Sequence, residues 1–277
     1  MKFSHSQLWK KAQALGSAGN TSEAAKAYRA FLDVEPGEAE AWAEYAAKLV
    51  KLGQFEAAEK ACQTSLHIAP NQISAHLNLG YALMRLGRLP EAETHLRSIL
   101  ISHPDRVDAQ LFLSEYLLHQ GDLSPARAVL DGANQPGATR AWSPDLQTHY
   151  AELWAVFSLG MFEAGNFDEA LRATGISRQY NPRNFNANAN FGSIRMAQGF
   201  LQEAETVFRQ LVATFPSLER ARLLLITCLG RQGNLAGAKL EIEKILLQKP
   251  RDLVVHENIL AIYFNFGCWP EYRQEIE

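Results

Sequence analysis

Eight glycines, Gly19, Gly53, Gly87, Gly121, Gly165, Gly199, Gly233 and Gly267, follow one another at steps of 34, 34, 34, 44, 34, 34 and 34 residues. A fixed period of this length restricts the chain to an array of like supersecondary units. Prolines keep the same step. Pro36, Pro70, Pro104, Pro182, Pro216 and Pro250 are separated by 34, 34, 78, 34 and 34, and 78 is two periods plus the same ten extra residues. Five positions after each of the first seven glycines stands an alanine: Ala24, Ala58, Ala92, Ala126, Ala170, Ala204 and Ala238.

One period, Ala39 to Gln72, shows what is repeated. Trp42, Ala46, Leu49 and Leu52 lie at spacings of four, three and three, which is one face of an α-helix. Beyond Gly53, the residues Ala58, Ala61, Cys62 and Ser65 mark a second helix with a small-residue face, and Pro70 closes it. Neither helix can bury its stripe alone, so each unit needs neighbours.

The period and its marked positions resemble the tetratricopeptide repeat, of the bacterial multi-repeat type. Trp42 and Trp154 match that family's early aromatic; Ala12, Ala46, Gly80 and Gly192 match its small first-helix residue, with Ser114 and Ser158 close to it. The resemblance implies an all-α fold, a right-handed superhelical solenoid of antiparallel helix pairs with about 15 helices. The expected units are 5–38, 39–72, 73–106 and 107–140 in a first half (1–140), then 151–184, 185–218, 219–252 and a truncated 253–277 in a second (145–277). Both halves are expected to form one continuous array.

The ten extra residues fall in an irregular stretch, 131–144, with Ala138 where a closing proline belongs. It reads as a tolerated loop, a joint between the halves, or a flap over the groove with Trp142 as its contact residue. Leu146, Tyr150, Leu153, Trp154, Phe157 and Met161 then keep helical spacing, which predicts an unusually long first helix in the fifth unit. In the eighth unit Tyr263, Phe264 and Trp269 lack the second helix that would cover them. That face suggests further sequence beyond the chain or, second to it, self-association.

A net charge of −3 gives no electrostatic reason to expect nucleic acid. No apolar run approaches the ~20 residues of a membrane span and no secretory leader is visible, so a cytoplasmic protein with reduced cysteines is expected. The histidines form no i, i+4 pair with an acidic neighbour, no Cys-x-x-Cys exists, and the glycines are single and periodic. No metal, no cofactor and no catalysis are therefore expected.

What the repeat leaves free is the first-helix face that, in the family, lines the inside of the superhelix. Carried over position by position, that wall includes Asn78, Tyr81, Leu111, Phe112, Glu115, His119, Phe162, Asn190 and Met196. Its ionised groups lean acidic through units two to five and basic in unit seven. The carboxylate clamp of chaperone-binding members is missing: Trp9, Gln13, Glu44, Ser74 and Asn78 stand at its positions. Asn78, Asn190 and Asn258 match the asparagine row of O-linked N-acetylglucosamine transferase arrays, where such an amide holds a peptide backbone. The expected function is a non-enzymatic scaffold that binds a peptide or partner segment in the groove. A substrate-recruiting arm of a larger enzyme, such as a glycosyltransferase, and a self-assembling structural repeat protein are the alternatives.

Overall fold

A computed structural model describes residues 5–134, 142–248, 253–265 and 267. They fall into two compact units, Met1–Ala141 and Trp142–Glu277. The first holds α1 (His5–Ser17), α2 (Thr21–Leu32), α3 (Ala39–Lys51), α4 (Phe55–Ile68), α5 (Ile73–Arg85), α6 (Leu89–Ser102), α7 (Val107–Gln120) and α8 (Leu123–Ala133). The second holds α9 (Pro144–Glu163), α10 (Phe167–Tyr180), α11 (Phe185–Ala197), α12 (Leu201–Thr214), α13 (Glu219–Arg231), α14 (Leu235–Gln248) and α15 (Leu253–Asn265). All regular structure among the described residues is helical, and no helix there is long and apolar enough to cross a membrane.

Within each unit every helix packs on the next, and first helices also stack on first helices: α3 on α5 and α5 on α7, then α9 on α11 and α11 on α13. The turn between paired helices explains the glycine period. Gly53 has φ +72°, its N–H bonds the Val50 carbonyl at 3.0 Å, and the Gln54 N–H bonds the Leu49 carbonyl at 2.9 Å. This is the 6→1 and 5→2 pair that stops a helix at a left-handed residue, where a Cβ is unfavourable. All eight periodic glycines sit at φ between 68° and 87°, and among the described residues no other residue type has positive φ.

The expected long helix is α9, 20 residues against 13 for α11. Ser143 caps it, its Oγ accepting from the Leu146 N–H at 3.3 Å, and Pro144 follows where a missing N–H costs nothing.

The small first-helix residue gives the paired second helix room. Gly80 lies against Leu96, and Gly192 against Phe208; a Cβ there would stand 3.1 Å from Leu96 Cγ but 2.5 Å from Phe208 Cε1. Leu96 and Phe208 are themselves fully buried. Ala12, Ala46, Ser114 and Ser158 are buried at the same position in their repeats.

The proline period has a second use. The residues before Pro70, Pro104, Pro182 and Pro216 leave helical geometry, as Ala69 does at φ −133° and ψ 92°. The proline carbonyl is then free to accept a bond from the next first helix. Trp42 Nε1 donates to the Pro36 carbonyl at 2.8 Å, Gln110 Nε2 to that of Pro104 at 2.8 Å and Asn188 Nδ2 to that of Pro182 at 3.0 Å. His76 Nε2 makes the same contact with the Pro70 carbonyl at 2.9 Å. Four different residue types thus supply one bond, six residues on from its acceptor. Trp154 occupies the equivalent position, yet its buried Nε1 has no hydrogen-bond partner among the described residues. The repeat before it has no closing proline, and the residue six places earlier, Thr148, is inside α9.

Candidate functional site

In the first unit the stacked first helices α3, α5 and α7 bring part of the expected wall together. The Tyr81 ring centroid lies 4.9 Å from that of Phe112 and 6.4 Å from that of Phe55. Tyr81 and Phe112 are half-buried, so each presents part of its ring. The Arg85 guanidinium stands 5.5 Å from the Phe55 centroid, a cation over a ring face. On α7, Glu115 is half-buried and His119 exposed. The result is an aromatic row across adjacent repeats with ionised groups at its margin.

Leu111 is not part of that surface. It is 0% exposed, because its side chain is turned into the packed interior, and it offers no atom to a ligand. Asn78 is engaged as well: its Nδ2 donates to the Ala43 carbonyl at 3.2 Å, across the joint between α3 and α5.

In the second unit Asn190 repeats that arrangement. Its Nδ2 donates to the Ala155 carbonyl at 2.8 Å and to Ser158 Oγ at 3.2 Å, and the residue is buried. Each amide donor here is spent on holding first helix to first helix. Phe162 is half-buried with its ring 5.8 Å from that of Phe167, and Met196 is half-buried against the core that includes Leu225 and Leu229. Val156 and Leu159 on α9 are 48% and 38% exposed, a large apolar surface at wall positions.

Trp142 packs on its own unit. Its ring is stacked 5.6 Å from Tyr180 and edge-on 4.8 Å from Tyr150. Residues 135–141 of the extra segment lie outside the described residues, as does Trp269. Tyr263 does not form an open face: α15 packs on α14, and Tyr263 and Ile259 are buried in the same core as Ile242 and Ile245. Phe264 is 56% exposed.

Sequence reasoning missed Phe55 and Phe167, which open second helices and extend each aromatic contact beyond the first-helix wall. Their signal was present, since both follow a turn glycine by two residues. A separate open cleft of about 390 Å3 is lined by Arg29, Asp33, Tyr45 and Leu49 and shares no residue with the wall.

Among the described residues no group of three or more His, Cys, Asp or Glu could hold a metal ion. Cys62 and Cys228 are buried, and burial pushes their thiols up to about 12 and about 11, far from thiolate at neutral pH. One titratable pair stands out. His95 Nδ1 lies 3.0 Å from His76 Nδ1. If His76 Nε2–H serves the Pro70 carbonyl, the bond between the rings runs from His95 Nδ1–H to His76 Nδ1. Burial holds the His95 imidazole below the usual histidine range, with the His76 charge adding to this and Glu91 opposing it.

A family model described as tetratricopeptide repeat matches residues 10–73, 77–139 and 162–219, and a second of the same description matches 195–261. No curated protein matches the sequence. Among solved structures, the chain is similar to one in the APC/C hetero-tetramer Cut9–Hcn1, at 17% identity and TM-score 0.69, covering 81% of this chain and 43% of that one. It therefore spans less than half the length of that relative. A tetratricopeptide repeat protein from Parabacteroides merdae is 15% identical with TM-score 0.61, covering 93% of this chain and 98% of its own. Pseudomonas aeruginosa pilF is 16% identical with TM-score 0.64, covering 79% and 95%. At these identities the likeness is one of fold.

Proposed function

The chain belongs to the tetratricopeptide repeat family, and from that premise we propose that it is a non-enzymatic scaffold whose stacked first helices hold a segment of a protein partner. The observation that carries this reading is the half-buried Tyr81–Phe112 pair, two rings 4.9 Å apart on α5 and α7. Aromatic side chains give large, stiff contact area, and rings left part-open on a rigid wall are suited to anchoring a partner. In the second unit Phe162 and Met196 supply the corresponding apolar contact, with Met adaptable in shape. Glu115 beside the first pair favours a basic residue in what binds there. A cytoplasmic setting suits Cys62 and Cys228, two buried thiols without a disulfide.

Apolar contact dominates affinity, at about 25 cal/mol per Å2 buried before the costs of association. Truncating an anchoring ring should cost about 1–2 kcal/mol, a loss of roughly 5- to 30-fold. The test is a random peptide library displayed on phage and selected on the intact protein. Selected peptides should lose affinity for Phe112→Ala, Phe162→Ala or the double variant, while circular dichroism shows the helices retained. Selected peptides that bind these variants as well as the parent would place binding elsewhere and end the reading.

A further inference from the structure

The second unit's wall carries a charge pattern that the repeat itself does not require. Stepping by 34 residues leads from Glu152 on α9 to Asn186 on α11 to Arg220 on α13, and from Glu163 to Ala197 to Arg231. One outer first helix therefore presents two carboxylates and the other presents two guanidinium groups, at the same two positions. All four are exposed, and Glu152, Glu163 and Arg231 make no ion pair among the described residues. Arg220 is held in place: its Nη1 donates to Asn186 Oδ1 at 3.0 Å and its guanidinium lies 5.5 Å from the Phe185 centroid. That bond also shows that equivalent positions of adjacent first helices lie side by side. Val156 and Leu159, 48% and 38% exposed, stand along α9 between its two carboxylates, and half-buried Met196 on α11 lies between the charged edges.

We propose that this wall binds an amphipathic helix with edges of opposite charge, its basic edge against α9 and its acidic edge against α13. The proposal rests on the scaffold reading above and names the partner for that wall. Spacing selects a helix. Two charges eleven residues apart on a helix are ~16.5 Å apart along its axis and within ~20° of one face. A partner helix alongside α11 has the same rise, so its own i and i+11 residues meet both charges of an edge. An extended segment puts same-side residues at multiples of about 6.7 Å, so its closest choices, about 13 or 20 Å, miss that spacing. Width agrees as well. Packed helices lie 8–10 Å apart, so α9 and α13 are ~16–20 Å apart, and one helix ~10–12 Å across reaches both edges with Lys and Glu side chains.

The pattern also fixes direction. A helix turned end for end with its apolar stripe still facing the wall exchanges its left and right edges, so only one orientation pairs opposite charges.

The test uses the full chain and three synthetic 18-residue helical peptides with a common Leu stripe: one with a Lys edge and a Glu edge, one with Lys on both edges, one with Glu on both. By fluorescence anisotropy at low salt, the mixed-edge peptide should bind about tenfold more tightly than either of the others. E152K/E163K and R220E/R231E should each lower its affinity about tenfold. The quadruple exchange should restore it, with a photo-crosslinker at the peptide N-terminus captured at the opposite end of the wall. Equal binding of the three peptides, or indifference to both charge reversals, would overturn the proposal. If those reversals are silent while Leu159→Ala/Phe162→Ala abolishes binding, the wall still binds and only its polarity is misread. If the mixed-edge peptide does not bind, or binds irrespective of both sets, the helix proposal and the scaffold reading of this wall fall together. A peptide-free dimer abolished by E152K/E163K would give the wall to a second copy instead, which also overturns it.

Discussion

Gly192 and Phe208 provide the sharpest test of how the repeats are packed. In Gly192→Ala the new Cβ would stand 2.5 Å from Phe208 Cε1 and 2.8 Å from Cζ. Carbon atoms in favourable contact are ~3.5–4.0 Å apart, so the overlap is about 1 Å. Phe208 is fully buried, so α11 or the ring must move. Overpacking of this kind costs about 1–3 kcal/mol. Replacing a mid-helix glycine by alanine returns about 1 kcal/mol through backbone entropy. The net expectation is a loss of up to about 2 kcal/mol, towards the upper end because the overlap is with a rigid buried ring. Gly80→Ala is the matched control, since its Cβ would be 3.1 Å from Leu96 Cγ and Cδ2, an overlap a leucine relieves by a few tenths of an ångström. There the two effects nearly cancel, and stability should be unchanged or slightly raised. Urea denaturation followed by circular dichroism would compare the two, with hydrogen exchange on α11 and α12 localising the change. Adding Phe208→Leu should recover most of the loss in Gly192→Ala, a coupling expected only for groups in contact. A Gly192→Ala protein as stable as Gly80→Ala would refute the close fit of glycine and ring.

Other outcomes follow from the same structure. Asn190→Ala removes the bond that the amide adds to the Ala155 carbonyl inside a buried joint and should cost about 0.5–1.5 kcal/mol, read by the same denaturation experiment; no loss would mean the amide is not a tie. His95 is held below the usual histidine range, so its share of stability should be complete above about pH 6.5 and fade as pH falls through the lowered value, where the folded state must accept a proton beside His76. His95→Gln should flatten stability between pH 7 and 5, and a profile as steep as the parent's would count against the pair. Cys62 and Cys228 should resist iodoacetamide at pH 7.4 in the folded protein and react in urea, as mass mapping would show; prompt native labelling would contradict their burial.

The fold was legible because its signals are local and repeated. A glycine that must adopt positive φ marks the turn by its own chemistry, as at Gly53 and Gly121, and the ten extra residues announce themselves as a break in step. The wall was less legible because a period assigns a position without fixing how far each side chain turns inward. Leu111 and Phe112 are neighbours at wall positions, yet one is fully buried and the other part-exposed. The sequence offers Asn78 and Asn190 as candidates for holding a peptide backbone; the backbone they hold belongs to the preceding first helix. Phe55 escaped notice because it joins the row from a second helix. Trp42 and Trp154 are the same residue at the same position, and only one finds an acceptor, because that acceptor is set by the chain six residues back.

The contact made by Trp42, His76, Gln110 and Asn188 has a consequence for how freely such a chain can change. Its receiving atom is a peptide oxygen, which no side-chain replacement can delete. Any donor of adequate reach completes it, so the seams between repeats tolerate drift that would ruin a matched pair of side chains. A repeat transplanted whole should find its socket already formed wherever the repeat before it ends in a closing proline, and its own proline offers the same socket to the repeat that follows.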